Sequence, residues 1–167
     1  MSQAKDETRV SPIIQFVGDH YFLSNFYSAP VKLGNLTFKT NEAAFQAAKY
    51  KVMKGTQQEQ YAYIAAILQC GTPGETKKLG KRVDIDLDKW EQIKVRCMRE
   101  IVRAKFDQNE ELKIKLMATG AGLLVEGNDW GDTFWGRCNG KGGNVLGSIL
   151  MELRGFYYWS EMDSITF

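Results

Sequence analysis

The chain has a single histidine, His20, among its 167 residues. Neither a histidine-rich zinc site nor a Ser-His-Asp or Cys-His arrangement drawing on several histidines can be assembled from it. Cysteine is scarce as well: Cys70, Cys97 and Cys138 are odd in number, far apart and without a CxxC pair, which argues against a disulfide framework. No stretch reaches the roughly 18 uninterrupted apolar residues that cross a membrane, and the polar residues 1–9 contain no apolar h-region, so the expected compartment is the cytoplasm. Charge of one sign is also missing. With 22 Lys and Arg against 20 Asp and Glu the net charge is +2, and no global field points to duplex nucleic acid as an obligatory partner. Chemistry must come from carboxylates, lysines, tyrosines or the backbone.

Apolar residues make up 44% of the chain and aromatics 12%, enough for one hydrophobic core in one domain. Residues 1–10 read as a polar tail, 11–160 as a single domain and 161–167 as a C-terminal tail. Ile13, Ile14, Phe16 and Val17 predict a short strand, and residues 31–33 and 36–38 predict a hairpin about Gly34-Asn35. Thr40 or Asn41 caps a helix to about Met53. Thr56 with Glu59 forms a capping box for a helix ending near Gly71, and Thr72 with Glu75 repeats the signature, with Pro73 at the first position and a stop at Gly80. The longest helix, about 87–106, carries Trp90, Ile93, Cys97, Met98, Ile101 and Val102 at helical spacing. A short helix to Gly120, a brief strand over 123–126, a glycine-rich loop over 127–144 and a helix over 145–158 complete the pattern. The fold class is α+β, mostly helical around a small β-sheet.

Four segments carry chemical potential, each with a plainer alternative. Glu42, Phe45, Gln46 and Lys49 share one side of a helix, separated by alanines, and fit either a lined site or an ordinary amphipathic helix. Asp129 and Asp132 alternate with Trp130 and Trp135, as in a wall for a flat ring and its hydroxyls, or as a packing device. Gly140, Lys141, Gly142, Gly143 and Asn144 precede a helix whose N-terminus favours anions. The run from Gly136 fails as a Walker A, since three residues rather than four precede Gly140-Lys141 and Gly142 stands where Ser or Thr must be. Finally, residues 76–82 hold four cations in seven positions, a solvated face or a contact for phosphates.

Taken in register, these pieces resemble the NADAR or YbiA-like family of N-glycosidases from about Phe16 to Arg154. The resemblance rests on Leu23-Ser24-Asn25-Phe26, the Glu42 to Lys49 stretch, Trp90 to Phe106, Leu124-Val125-Glu126, Asp132 to Gly136, and Gly140 to Asn144 leading to Arg154. It implies hydrolysis of a C–N bond at a ribose anomeric carbon without metal or cofactor. The substrate it implies is ADP-ribose on guanine in nucleic acid or, alternatively, a phosphorylated ribosylamino-pyrimidine intermediate of riboflavin biosynthesis. A non-catalytic ADP-ribose or nucleotide reader is a further alternative, of another class. Many relatives carry His after the helix Glu, where this chain has Ala43, so no histidine carries a proton at that point.

With the family in view, Lys49, Glu42 and Asp132 are the expected catalytic residues, and Asn25, Phe26, Gln46, Trp90, Trp135, Gly136 and Asn144 the expected substrate-binding residues. In one mechanism Lys49, made neutral by a dry site, attacks the anomeric carbon and forms an imine, with Glu42 or Asp132 as acid and base. In the other, two carboxylates act through an oxocarbenium-like transition state and Lys49 only binds. Trp90 serves equally as core or as a stacking wall. The 140–144 turn is expected near a phosphate.

Overall fold

The computed structural model describes residues 10–163, and most of the expected tails, 1–9 and 164–167, lie outside them. The chain forms two compact units. One runs from Asn25 to Glu110, and the other joins the chain up to Ser24 with the chain from Glu111 onward. The architecture is α+β and mostly helical.

The first unit opens with the hairpin of β1 (Val31–Leu33) and β2 (Leu36–Phe38), paired Val31 to Phe38, Lys32 to Thr37 and Leu33 to Leu36. Gly34 takes φ +57°, the left-handed conformation such a two-residue turn demands. α1 (Asn41–Ala47) starts at Thr40, whose hydroxyl accepts from the Ala43 N–H, and passes into a 3-10 segment, Ala48–Val52. The expected single helix to Met53 is thus broken in type. The Gln46 carbonyl, which a continuing α-helix would offer to residue 50, instead accepts the Tyr63 hydroxyl (2.8 Å). α2 (Gln57–Gln69) and α3 (Pro73–Gly80) both begin with the reciprocal capping boxes predicted for them. α4 (Leu87–Asp107) buries Trp90, Cys97, Met98, Ile101, Val102, Lys105 and Phe106, while Ile93 is only half-buried. At its end Gln108 accepts from the Lys32 N–H (2.8 Å) and donates to the Lys32 carbonyl (2.9 Å), so β1's outer edge is satisfied.

Lys105 was not part of the expected apolar face. It is 0% exposed, its ammonium lies 5.3 Å from the Tyr27 and Phe106 rings, and burial pulls its pKa down to about 7.

The second unit contains a 3-10 segment (Gly18–Leu23), α5 (Glu110–Ala118, beginning at the boundary), α6 (Val145–Asp163) and a short parallel pair, β3 (Gly127–Asn128) with β4 (Arg137–Cys138). The strands expected at Ile13 to Val17 and at 123–126 reduce to one bridge, Ile13 with Leu124. Ile14 and Val17 are exposed, so the apolar run has no alternating buried face to extend a ladder. α6 buries Leu146, Ile149, Leu150, Leu153 and Tyr157 as predicted, but continues past Tyr158 into the expected tail, since no Gly or Pro stops it. Arg154 binds Thr119 Oγ1 (2.7 Å) and the Gly122 carbonyl (2.8 Å). The three cysteines are free, and among the described residues no helix is long and apolar enough to cross a membrane.

Two glycines of α6 should respond oppositely. A Cβ at Gly147 would lie 2.2 Å from the Leu124 carbonyl oxygen, whereas one at Gly155 meets nothing within 4 Å. Denaturant titration should find Gly147→Ala destabilised by about 1–3 kcal/mol and Gly155→Ala stabilised by about 0.5–1 kcal/mol. A second expectation concerns Lys105. Its folded pKa lies below the ordinary lysine value of 10.5, so between about pH 7 and 10.5 the unfolded chain binds more protons and stability rises with pH. The burial cost is present in full below that window and gone above it. Lys105→Met should remove this rise from the pH dependence of the unfolding free energy.

Candidate active site

The Asn25–Glu110 unit holds six of the ten residues expected at the site, namely Asn25, Phe26, Glu42, Gln46, Lys49 and Trp90. Seven steps along α1 and the 3-10 turn return Lys49 to within about 20° of Glu42, so both look out on one side. Glu42, in the first turn, is buried, and its N–H donates to the Asn25 carbonyl (2.9 Å). Gln46, one turn on and also buried, donates from Nε2 to Glu42 Oε1 (2.9 Å). Half-buried Lys49 donates from Nζ to the Gly80 carbonyl (2.5 Å) and sits 5.9 Å above the Trp90 ring. That ring is itself tilted against Phe45 at 5.1 Å.

Trp90 is buried along most of its surface, with one face beneath the amine. Asn25 is a bracket. Its carbonyl takes a first-turn amide of α1 that has no partner within the helix, and its side chain accepts from Asn41 Nδ2 (3.2 Å) and donates to Met98 Sδ (3.4 Å). Half-buried Phe26 lies 5.7 Å beneath the Lys77 ammonium.

Burial lowers the pKa of Lys49 below the ordinary lysine range. The nearby Glu42 carboxylate works against that lowering, and the Lys81 cation adds to it. An amine that donates one N–H to Gly80 while neutral keeps its lone pair for a carbon electrophile.

Gly80, read in the sequence only as a helix stop, is structurally decisive. A Cβ there would fall 1.9 Å from Gln46 Oε1, so a side chain at this position would force the Gln46 amide to move. Gln46 Oε1 is buried without a hydrogen-bond partner, pressed against that glycine. Tyr63, also unforeseen, is buried with its phenol pKa raised, first by burial. Ala43 borders a small cavity of about 250 Å³ with Thr37, Phe38 and Ile67.

The remaining predicted residues belong to the other unit. Asp132 Oδ1 accepts from the Phe134 N–H (3.0 Å) and the Trp135 N–H (2.9 Å), and the Asn128 side chain clasps the Asp132 backbone in both directions. This is a turn-forming carboxylate. Trp135 is half-buried, edge-on to Phe134 at 5.0 Å. Gly136 admits the Glu126 carbonyl where a Cβ would stand, 2.2 Å away. Asn144, buried at φ +52°, accepts from the Glu126 N–H and donates to the Leu124 carbonyl. The anion cradle expected before α6 is filled from within: the N–H groups of Gly143, Asn144, Val145 and Leu146 donate to the carbonyls of Thr133, Gly136, Phe134 and Trp135.

Residues 15–156 match the NADAR domain family. The chain belongs to that family. This NADAR chain is 38% identical over 138 residues to the N-glycosidase YbiA of Escherichia coli, covering 81% of each chain. It is 35% identical over 133 residues to an N-glycosidase of Nostoc punctiforme, covering 78% of this chain and 81% of that one. A riboflavin biosynthesis protein of Vibrio vulnificus is 35% identical over 137 residues, which are 81% of this chain and 35% of the relative. The NMR structure of E. coli YbiA superposes with a TM-score of 0.77 at 33% identity, covering 93% of this NADAR chain and 90% of that chain.

The two charges beside Lys49 should move its titration in opposite senses. Glu42→Gln removes the group that raises its pKa, so the amine should titrate at still lower pH, while Lys81→Ala should return it toward the ordinary range. NMR titration of labelled Lys49 measures both. Shifts of the same sign would refute the electrostatic account.

Proposed function

We propose that this NADAR protein is an N-glycosidase that releases ADP-ribose from guanine in nucleic acid by way of an imine on Lys49. Its class, a hydrolase of N-glycosyl compounds, follows from family membership and from relatives named N-glycosidase. The observation that supports the lysine route is the half-buried amine of lowered basicity, held by Gly80 over Trp90 and beside Glu42.

In this mechanism the Lys49 lone pair bonds to the anomeric carbon. The Glu42 carboxylate has taken the proton that left Lys49; the bond from the anomeric carbon to the base nitrogen breaks, its electron pair passes to the nitrogen, and Glu42 gives that proton to the leaving base. The ribose ring opens as the lysine adduct becomes an imine. Water then adds to the imine carbon, and the carbon–nitrogen bond to Lys49 breaks to free the sugar and the amine. Gln46 holds the Glu42 carboxyl in place, and Trp90 forms the apolar floor that keeps the amine poorly solvated.

Asp132 takes a positioning role in this reading, because one of its oxygens already holds two backbone N–H groups of its own turn. The chain covers about four fifths of the relatives named N-glycosidase and 35% of the Vibrio riboflavin protein. A reader without turnover has no use for an amine of lowered basicity beside a carboxylate.

Purified protein should release ADP-ribose from a guanine-ADP-ribosylated oligonucleotide faster than it cleaves a ribosylamino-pyrimidine phosphate, and borohydride should leave a reduced sugar adduct on Lys49 by mass spectrometry. Lys49→Ala should abolish both release and adduct. Glu42→Gln should lower kcat by about 10²–10⁴-fold. Turnover that survives Lys49→Ala without adduct would sink the imine route, and preference for the pyrimidine would reverse the substrate assignment.

A further inference from the structure

Two lysines that the mechanism leaves without a role lie at the end of α3, the helix whose Gly80 carbonyl holds the reactive amine. Lys77 and Lys81 are one helical turn apart on α3, the Lys81 N–H donating to the Lys77 carbonyl (3.1 Å), and side chains at that spacing share a face. Gly80, next to Lys81, is the residue whose carbonyl takes the Lys49 amine and whose missing side chain lets α3 meet α1 at Gln46. The face that carries Lys77 and Lys81 is therefore fixed to the helix that carries Glu42. Lys77 places its ammonium 5.7 Å over the Phe26 ring, while Lys81 is exposed. Lys78, one residue on from Lys77, is rotated by about 100° from it.

Lys81 stands close enough to Lys49 for its charge to lower the basicity of that amine, and like charges held close repel unless an anion lies between them. The position of Lys77 and Lys81 toward the C-terminal end of α3 tolerates the cluster in the free protein, since that end of a helix favours cations. Ammonium groups of lysine bind phosphates as point charges. The other anion cradle offered by the sequence, before α6, is already occupied by the chain's own carbonyls.

We propose that the Lys77 and Lys81 face of α3 is the phosphate-recognition side of the site: it holds a phosphate ester of the substrate's ribose and so sets the anomeric carbon against Lys49. The proposal rests on the glycosidase reading above and adds the group by which a ribosyl substrate is selected. The shared chemistry is a phosphorylated ribose, whether the phosphate is a terminal monoester or part of a diphosphate.

Isothermal titration with ribose, ribose 5-phosphate and ADP-ribose tests this on the full chain, comparing wild type with Lys77→Ala, Lys81→Ala, the double variant and Lys78→Ala. Wild type should bind ribose 5-phosphate more tightly than ribose. Each single variant at 77 or 81 should weaken ribose 5-phosphate by about tenfold, leave ribose unchanged, and match wild type in thermal unfolding. Lys78→Ala should bind as wild type does, and added salt should erase the difference. A larger loss for ADP-ribose than for ribose 5-phosphate identifies a diphosphate as the group held, and the reverse identifies a monoester. Equal affinity for ribose and ribose 5-phosphate in wild type, or losses in Lys78→Ala equal to those at 77 and 81, would overturn the proposal. Turnover measured on the same samples separates the two readings. Lys49-dependent release with unchanged affinities across the variants removes the phosphate face alone, whereas the predicted affinity differences without release of any base keep it and remove the glycosidase.

Discussion

The unit that carries Lys49 is organised by a contact in which one partner has no side chain. At Gly80 the backbone of α3 comes so close to Gln46 that a methyl group would overlap the amide oxygen. That approach presents the Gly80 carbonyl to Lys49 and presses the Gln46 side chain into the one orientation in which its NH2 holds Glu42. The helices meeting there are fixed at their starts by Thr40 and Thr72, whose side chains satisfy first-turn amides. Amine, amide and carboxylate are thus held by short-range backbone geometry rather than by flexible side chains.

Low basicity alone does not identify a nucleophile, and the two lysines of lowered pKa show why. Lys105 is wholly enclosed among Tyr27 and Phe106, and desolvation by itself brings it to about 7. No substrate carbon can reach it without the core opening, so its chemistry is confined to the stability of the fold. Lys49 is only half-buried, its shift is the balance of burial against Glu42 and with Lys81, and its surroundings include a carboxyl able to move a proton. Access and a partner, added to desolvation, separate a reactive amine from a buried one.

The helical part of this arrangement is legible in the sequence because it is written in local signals. Thr56 with Glu59, Thr72 with Pro73 and Glu75, and Gly34-Asn35 each act within a few residues, and each appears where its spacing places it. The apolar face of α6 and most of that of α4 follow from helical period. What was not legible depends on distant chain. The run from Ile13 to Val17 looked like a strand, but it has one paired position, supplied by Leu124. Gly80 looked like a stop signal, because nothing near it in sequence announces Gln46. Lys105 interrupted an apolar pattern and was passed over, although the rings that accept its charge come from Phe106 beside it and Tyr27 far upstream.

The site residues proposed from 127–144 illustrate a further limit on reading function from residue type. Asp132, Asn144 and Asn128 are the kinds of side chain that grip ligands, and here they grip backbone, because a loop with a two-residue ladder leaves most of its amides and carbonyls without partners. Asn144 holds a left-handed φ of +52° while bonding both the Glu126 amide and the Leu124 carbonyl. Gly143, Asn144, Val145 and Leu146 give up the donors that would have met an anion. A polar, glycine-rich segment before a helix therefore supplies either a ligand cradle or its own scaffold, and the use made of its N–H groups distinguishes the two. In this chain those groups are engaged, while the lysines of α3 carry charge that its own hydrogen bonds do not absorb. The weight of anion recognition accordingly moves from the glycine-rich turn to Lys77 and Lys81.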